Sequence, residues 1–265
     1  MTVLQAVVPA IQRTPVWGGW RVWQRNRDAV LRAWKVEFGG VLVEPFILLF
    51  AMGFGLGPYI GNMGDLTYAE FIAGGVLASY AMFHATFDAT YGAYLRMESH
   101  HIYEAMLFTP VEPRDIVLGE VMWGATRSVI SASAVLVAAT AFGLVLSPWA
   151  ILAIPVAYLI GLTFASLAMV LTATATTIGA MNNFFTLFLM PMFYLSGTFF
   201  PLERLPIVAQ ELAWLLPLTP ATSLVRGLMT GQITPWMFAW AAELFVFAVA
   251  SLFLASFFMR RRLLK

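Results

Sequence analysis

Between Ser128 and Leu202 the chain runs for 75 residues without one Lys, Arg, Asp or Glu. A soluble domain, with about a quarter of its residues charged, has no use for such a stretch. A helix that crosses ~30 Å of hydrocarbon takes about 20 apolar residues, so the run has room for three crossings. Composition agrees: of 265 residues, 60% are apolar and 11% charged. The apolar segments are continuous and lack the ~10-residue alternation of barrel strands, which leaves helices as the spanning element. The expected fold is therefore an all-α integral membrane protein. The chain has no cysteine, which excludes disulfides, thiolate metal sites and cysteine nucleophiles. Residues 1–17 contain Pro9 and Pro15 and no long apolar core, so no cleavable signal peptide is expected there.

Six transmembrane helices are expected, at about 38–60, 69–91, 122–145, 149–172, 184–200 and 236–259. Ahead of them, residues 18–36 read as an N-terminal amphipathic helix. Arg21, Arg25, Asp28, Arg32 and Lys35 share one stripe, and Trp20, Trp23, Val30 and Trp34 share the opposite one. Tryptophan opposite arginine marks a helix lying in the membrane interface, with Arg27 snorkelling out of the apolar stripe. Residues 201–231 are moderately apolar, broken by Pro206, Pro217 and Pro220, and too short between breaks to cross. A re-entrant pair of short helices fits them. The basic residues supply the orientation: with both termini cytoplasmic, thirteen Lys and Arg fall inside and only Arg204 and Arg226 outside. The plan is thus a cytoplasmic N-terminal segment (1–37), a six-span membrane domain (38–259) and a basic tail (260–265). The membrane domain includes a cytoplasmic loop at about 92–118 and the outer segment at about 201–231.

The chemistry is sparse. The two lysines, Lys35 and Lys265, lie in no glycine-rich phosphate loop, so the chain carries no nucleotide-binding motif, and any ATP that drives it binds another subunit. In the cluster Glu98-Ser-His100-His101-Ile102-Tyr103-Glu104, His100 and Glu104 share a helix face, but no second motif completes a metal shell. His101, Ile102, Tyr103 and Met106 read better as a short cytoplasmic helix that docks on a partner. Glu44, His84, Asp88, Arg127 and Glu243 are ionisable groups inside spans, where the bilayer makes them costly. The first, third and fourth lie near cytoplasmic ends, where snorkelling or pairing is cheap. Glu243 could pair with Arg204 or Arg226, or line a path for substrate. The fifth span, with Phe188 and Tyr194 among its aromatics, reads either as a lipid-packing surface or as an aromatic wall for an acyl chain or sugar ring. His84 and Asp88, four apart, are the one candidate pair for an intramembrane lipid-modifying enzyme.

An interfacial basic helix, six spans, a docking loop after the second span and an outer segment opened by LSGTFFPLERLP together resemble the permease subunits of type-2 ABC exporters. The stretch RMESHHIYEAMLFTPVEPRDIVLGEVMWGATRS and the terminal FFMRRRLLK look like the nodulation-type (NodJ-like) branch, paired with a NodI-like ATPase for lipo-oligosaccharide export. Drug and polysaccharide permeases of the superfamily share the SG-x-FFP feature and remain the alternative. The resemblance implies a multi-pass protein of the bacterial inner membrane, in a homodimer of permeases with two ATPases. ATP and Mg would sit on those partners, with no cofactor on this chain and no nucleic acid involved. It also implies a docking helix at about Glu98 to Phe108, including His100 and Glu104, that transmits ATPase closure to the spans.

Overall fold

The computed structural model describes residues 17–32 and 43–264. Trp34, Lys35, Lys265 and the expected start of the first span at 38 lie outside them. The described chain is helical apart from short connections and a two-stranded hairpin, Asn62–Met63 with Leu66–Thr67. Its helices are α1 (Trp17–Arg32), α2 (Val43–Ile60), α3 (Tyr68–Phe87), α4 (Ile102–Leu107), α5 (Pro113–Ala141), α6 (Ala153–Thr174), α7 (Ile178–Leu195), α8 (Ile207–Trp214), α9 (Leu218–Thr230) and α10 (Trp236–Leu263).

Among the described residues, five helices are long and apolar enough to cross a membrane: α2, α5, α6 with the 3-10 turn Pro148–Leu152 before it, α7 and α10. The second expected span, α3, is 20 residues long but falls short of these in apolarity, carrying Glu70, Ser79, Tyr80 and His84. Burial explains the difference. Sixteen of its 20 residues are buried, packed between α5, α6 and α9. A helix surrounded by protein is released from the demand that lipid places on its surface. By contrast α2 and α7 are the least buried spans and sit at the margin of the bundle.

Small residues set the packing, as they do wherever membrane helices approach closely. A Cβ on Gly161 of α6 would stand 2.5 Å from the Cα of Ala125 on α5, so only glycine permits that crossing. The connections sort to two ends. At one, here called proximal, lie α1, α4, the start of α5, the end of α6 and the end of α10. Arg262 of α10 bonds Thr172 O and Ala175 O beyond α6, and Glu98 ahead of α4. At the distal end, Leu146 N donates to Met229 O (3.0 Å), and Arg226 of α9 reaches Phe71 at the start of α3.

Several boundaries move. The third span begins at Pro113, with Glu112 capping its N-terminus, rather than at about 122. The expected docking helix at Glu98–Phe108 narrows to α4, and Glu98 belongs to the end of the preceding helix. The fifth span is shifted: α7 runs 178–195, and Ser196–Phe200 forms a bend turned by Gly197 at φ +72°. Arg260 to Arg262, expected in a tail, continue α10. The proline-broken segment does hold two short helices, α8 and α9. The protein-facing side of α1 is a stripe the periodicity did not assign, Gly19, Val22 and Asn26, and Gly119 of α5 lacks the Cβ that would collide with Val22.

Candidate functional site

Helix α3 does not stop at Phe87. It continues to Ser99 with two wide π-helical turns, Asp88–Gly92 and Leu95–Ser99, a distortion that recurs at functional sites. These turns present Asp88 and Arg96 to α5, where a buried polar knot forms. Glu120 has no exposed side-chain surface. Arg96 grips it with two bonds, Nε to Oε1 at 3.1 Å and Nη2 to Oε2 at 2.6 Å. The same Nη2 donates to Asp88 Oδ1 at 2.9 Å. The other oxygen of Asp88 accepts from Trp123 Nε1 at 2.7 Å and lies 3.5 Å from Arg127 Nε. Asn26 Nδ2, from α1, completes the set at 3.0 Å from Glu120 Oε2. Two carboxylates and two guanidiniums offset one another, the condition under which buried charge is tolerated.

The knot is also the seat of α4. Tyr103 is fully buried, with its phenol beside Glu120 and Arg96. Burial, and after it the Glu120 carboxylate, pushes that phenol well above its ordinary pKa of 10. His101, at a left-handed φ of 51°, starts the helix, and its Nδ1 lies 3.2 Å from Glu104 Oε1 in solvent.

Above the knot a cavity of about 960 Å³ opens between α2, α3, α5 and α7. Its polar lining is Glu44, Tyr80, His84 and Arg127; its aromatic wall is Phe83, Phe87, Phe185, Phe193, Tyr194, Phe199 and Phe200. Arg127 belongs to both features, lining the cavity and facing Asp88. Two more π-helical stretches, Phe50–Leu56 in α2 and Phe185–Leu189 in α7, flank the opening. At the distal end the bend Ser196–Phe200 carries the last two aromatics, and three side chains fix it. Thr222 Oγ1 donates to Ser196 O (2.8 Å), Ser79 Oγ and Thr198 Oγ1 are 3.2 Å apart, and Arg226 Nη2 donates to Gly197 O (2.5 Å).

The structure brings together Glu44, His84, Arg127 and Tyr194 in the cavity, and Asp88 in the knot. Phe188 lies outside the lining, stacked on Phe184 at 5.2 Å. Glu243 does not pair with Arg226, which is held by Phe71 O (3.0 Å), Gly197 O and the Phe71 ring at 3.8 Å; among the described residues Glu243 forms no ion pair. The docking set divides. His100, His101 and Glu104 are exposed, Ile102 and Met106 half-buried, Tyr103 buried, and Glu98 is bonded to Arg262 at 2.7 Å. Asn26, Arg96, Glu120, Trp123 and the 93% exposed Phe108 are additions the residue pattern did not single out. Phe108 carried one signal, a lone phenylalanine between a short helix and Pro110.

The fold is a helical bundle of membrane-spanning type with a buried ionic knot beneath an aromatic cavity, and residues 20–230 match the model of a transporter family. The chain belongs to the ABC-2 type transporter family. Within it, the chain is similar to nodulation protein J of Rhizobium leguminosarum bv. trifolii, 40% identical over 244 residues, which are 92% of this chain and 93% of the relative. Nodulation protein J of Sinorhizobium fredii is 38% identical over 98% of this chain and 97% of its own, and that of Bradyrhizobium diazoefficiens 37% over 92% and 93%.

Proposed function

We propose that the chain is the permease subunit of an ATP-driven exporter that moves an amphipathic substrate, a lipo-oligosaccharide or similar glycolipid, out of the cytoplasm or the inner leaflet. The observation that carries this reading is the cavity, where hydrogen-bonding groups at Glu44, Tyr80, His84 and Arg127 meet a continuous aromatic wall. Such a surface suits a ligand with a sugar end and an acyl end, since rings pack against aromatic faces and polar groups fix orientation. In this reading α3 crosses the membrane as a sixth span, shielded from lipid by its neighbours. The proximal end is cytoplasmic, α1 lies in the interface, and α8 and α9 dip into the outer leaflet. The clustering of α1, the loop before α4 and the arginines of α10 at one end supports that orientation. The exposed side of α4, with His100, His101, Glu104 and Phe108, takes a NodI-like ATPase, and two permease copies pair with two ATPases.

The enzyme alternative is weaker on geometry. Both oxygens of Asp88 are engaged, by Arg96 and Trp123, so Asp88 is not free to serve His84 as a base partner.

Reconstitution tests the proposal. In vesicles holding the chain and its ATPase, a fluorescent lipo-oligosaccharide is expected to move on ATP addition, while the free oligosaccharide does not. Tyr194→Ala with Phe199→Ala is expected to cut that movement severalfold without abolishing complex assembly. Equal transport of the free sugar, or unchanged transport in the double variant, would overturn the assignment.

A further inference from the structure

The proximal end of α10 carries Arg260, Arg261 and Arg262 on successive positions, and the three point to different tasks. Arg262 turns inward and is consumed by Thr172 O (2.7 Å), Ala175 O (2.6 Å) and Glu98 Oε1 (2.7 Å). Arg261 lies over the ring of Phe257 at 4.3 Å. Arg260 is exposed and, among the described residues, makes no ion pair. Beside them a cavity of about 930 Å³ opens between the ends of α6 and α10. Apart from the three arginines its lining is apolar or hydroxylic, with Ala173, Thr174, Phe257, Phe258 and Leu264 among it and, among the described residues, no acidic side chain. Arg260 also rims a second cavity, of about 660 Å³, beside Val111 and Arg114; its one acid, Glu112, is already paired with Arg114 at 2.9 Å. Further along α10, Phe253 and Leu254 are exposed and carry the apolar surface away from the arginines.

Cations above an apolar groove at the level where a spanning helix leaves the membrane have the chemistry of a phospholipid site. The guanidiniums take a phosphate, and the exposed aromatic and aliphatic surface takes an acyl chain. We infer that the groove between the proximal ends of α6 and α10 binds an anionic phospholipid of the cytoplasmic leaflet, with Arg260 and Arg261 holding its headgroup. The inference rests on the orientation proposed above. Because Arg262 ties the same helix end to Glu98, close before α4, lipid occupancy is positioned to bias the docking loop.

The test uses the permease with its ATPase in nanodiscs of phosphatidylcholine with or without phosphatidylglycerol, and measures the lipid retained on the complex by native mass spectrometry. Phosphatidylglycerol is expected to be enriched over phosphatidylcholine. Each arginine near an anionic surface contributes about fivefold, so Arg260→Gln with Arg261→Gln is expected to reduce the enrichment about 25-fold. Arg260→Lys with Arg261→Lys retains much of it, and Arg204→Gln at the distal end leaves it unchanged. Equal retention of the zwitterionic lipid, displacement by inorganic phosphate, or enrichment that survives the double Gln variant would overturn the site. The chain has no cysteine, so labelling of Leu264→Cys with an impermeant maleimide reads orientation separately. Labelling from the outer side alone would overturn the topology; labelling from the inner side with charge-independent lipid retention would overturn the lipid site only.

Discussion

Replacing Glu120 by Gln keeps the side chain's size and its contact with Asn26 but removes the charge at the centre of the knot. In the structure that carboxylate is fully buried and takes two bonds from Arg96. Breaking a buried ion pair by removing one partner costs about 3–5 kcal/mol, and a retained neutral hydrogen bond returns about 1 kcal/mol, so Glu120→Gln is expected to cost ~2–4 kcal/mol. Arg96→Gln should cost at least as much, because it also strips Asp88 of its bond at 2.9 Å. The two losses share one interaction, so the double variant is expected to fall short of their sum by ~1–3 kcal/mol. The measurement is unfolding in mixed micelles, followed by tryptophan fluorescence, for the wild type, both single variants and the double. Arg27→Gln is the comparison: it breaks an exposed pair with Asp28 and should cost less than ~1 kcal/mol. Additivity of the two knot variants within ~0.5 kcal/mol would refute the account, as would an Arg96 variant no costlier than the Arg27 control.

Arg262→Gln severs the ties to Thr172, Ala175 and Glu98, and is expected to lower transport per ATP hydrolysed in the reconstituted complex more than it lowers hydrolysis; proportional losses would argue against a role in holding the docking loop. Gly161→Ala places a methyl 2.5 Å from Ala125 Cα and 2.6 Å from Ser128 Oγ, an overpacking worth ~1–3 kcal/mol, whereas Gly55→Ala meets nothing within 4 Å and should be tolerated; melting temperatures distinguish them. Tyr103 supplies a pH test. Its folded pKa is raised, so its contribution is intact below the ordinary value of 10 and is lost as pH rises towards the folded value. Any stability advantage of the wild type over Tyr103→Phe should therefore hold constant from neutral pH to about 10 and shrink above it.

Most of the frame was legible in residue order, because the bilayer imposes a length and a polarity on every exposed span. The charge-free run placed α5 to α7, and the three prolines marked the segment holding α8 and α9. The knot was not legible. Asp88 and Arg127 stood out as charges inside spans, but Glu120 fell in what reads as a loop, since the chain around it has the charge density of one. It is buried because α5 begins at Pro113, nine residues before the apolar stretch, and because α1 folds over it with Asn26. That asparagine sits between Arg25 and Arg27 in sequence, on a stripe with Gly19 and Val22 that belongs to neither the arginine face nor the tryptophan face. Tyr103 was picked as a docking residue on the strength of its neighbours in sequence. In the fold α4 starts from a left-handed His101, and the tyrosine is fully buried in the bundle.

The expected span that hydropathy supports least is the helix that links the cavity, the bend and the knot. α3 contributes Tyr80 and His84 to the cavity, Ser79 to the bend that carries Phe199, and, through its wide turns, Asp88 and Arg96 to the knot. These polar groups lie along a single helix that α5, α6 and α9 enclose: Trp123 of α5 donates to Asp88 at 2.7 Å, and Ser128 Oγ and Thr172 Oγ1 donate to the backbone carbonyls of Ala81 (2.5 Å) and Ala89 (2.7 Å). A displacement of α4 therefore has a short physical route to the aromatic cavity. Tyr103 abuts Glu120, Glu120 holds Arg96, Arg96 holds Asp88, and Asp88 faces the Arg127 that lines the cavity. From Glu120 onward each step is an ionic contact, whose strength depends on distance in a low-dielectric interior. Low hydropathy in a protein-enclosed helix is thus a physical consequence of the polar groups it carries between its neighbours, and in this chain it points to α3 before any contact is known.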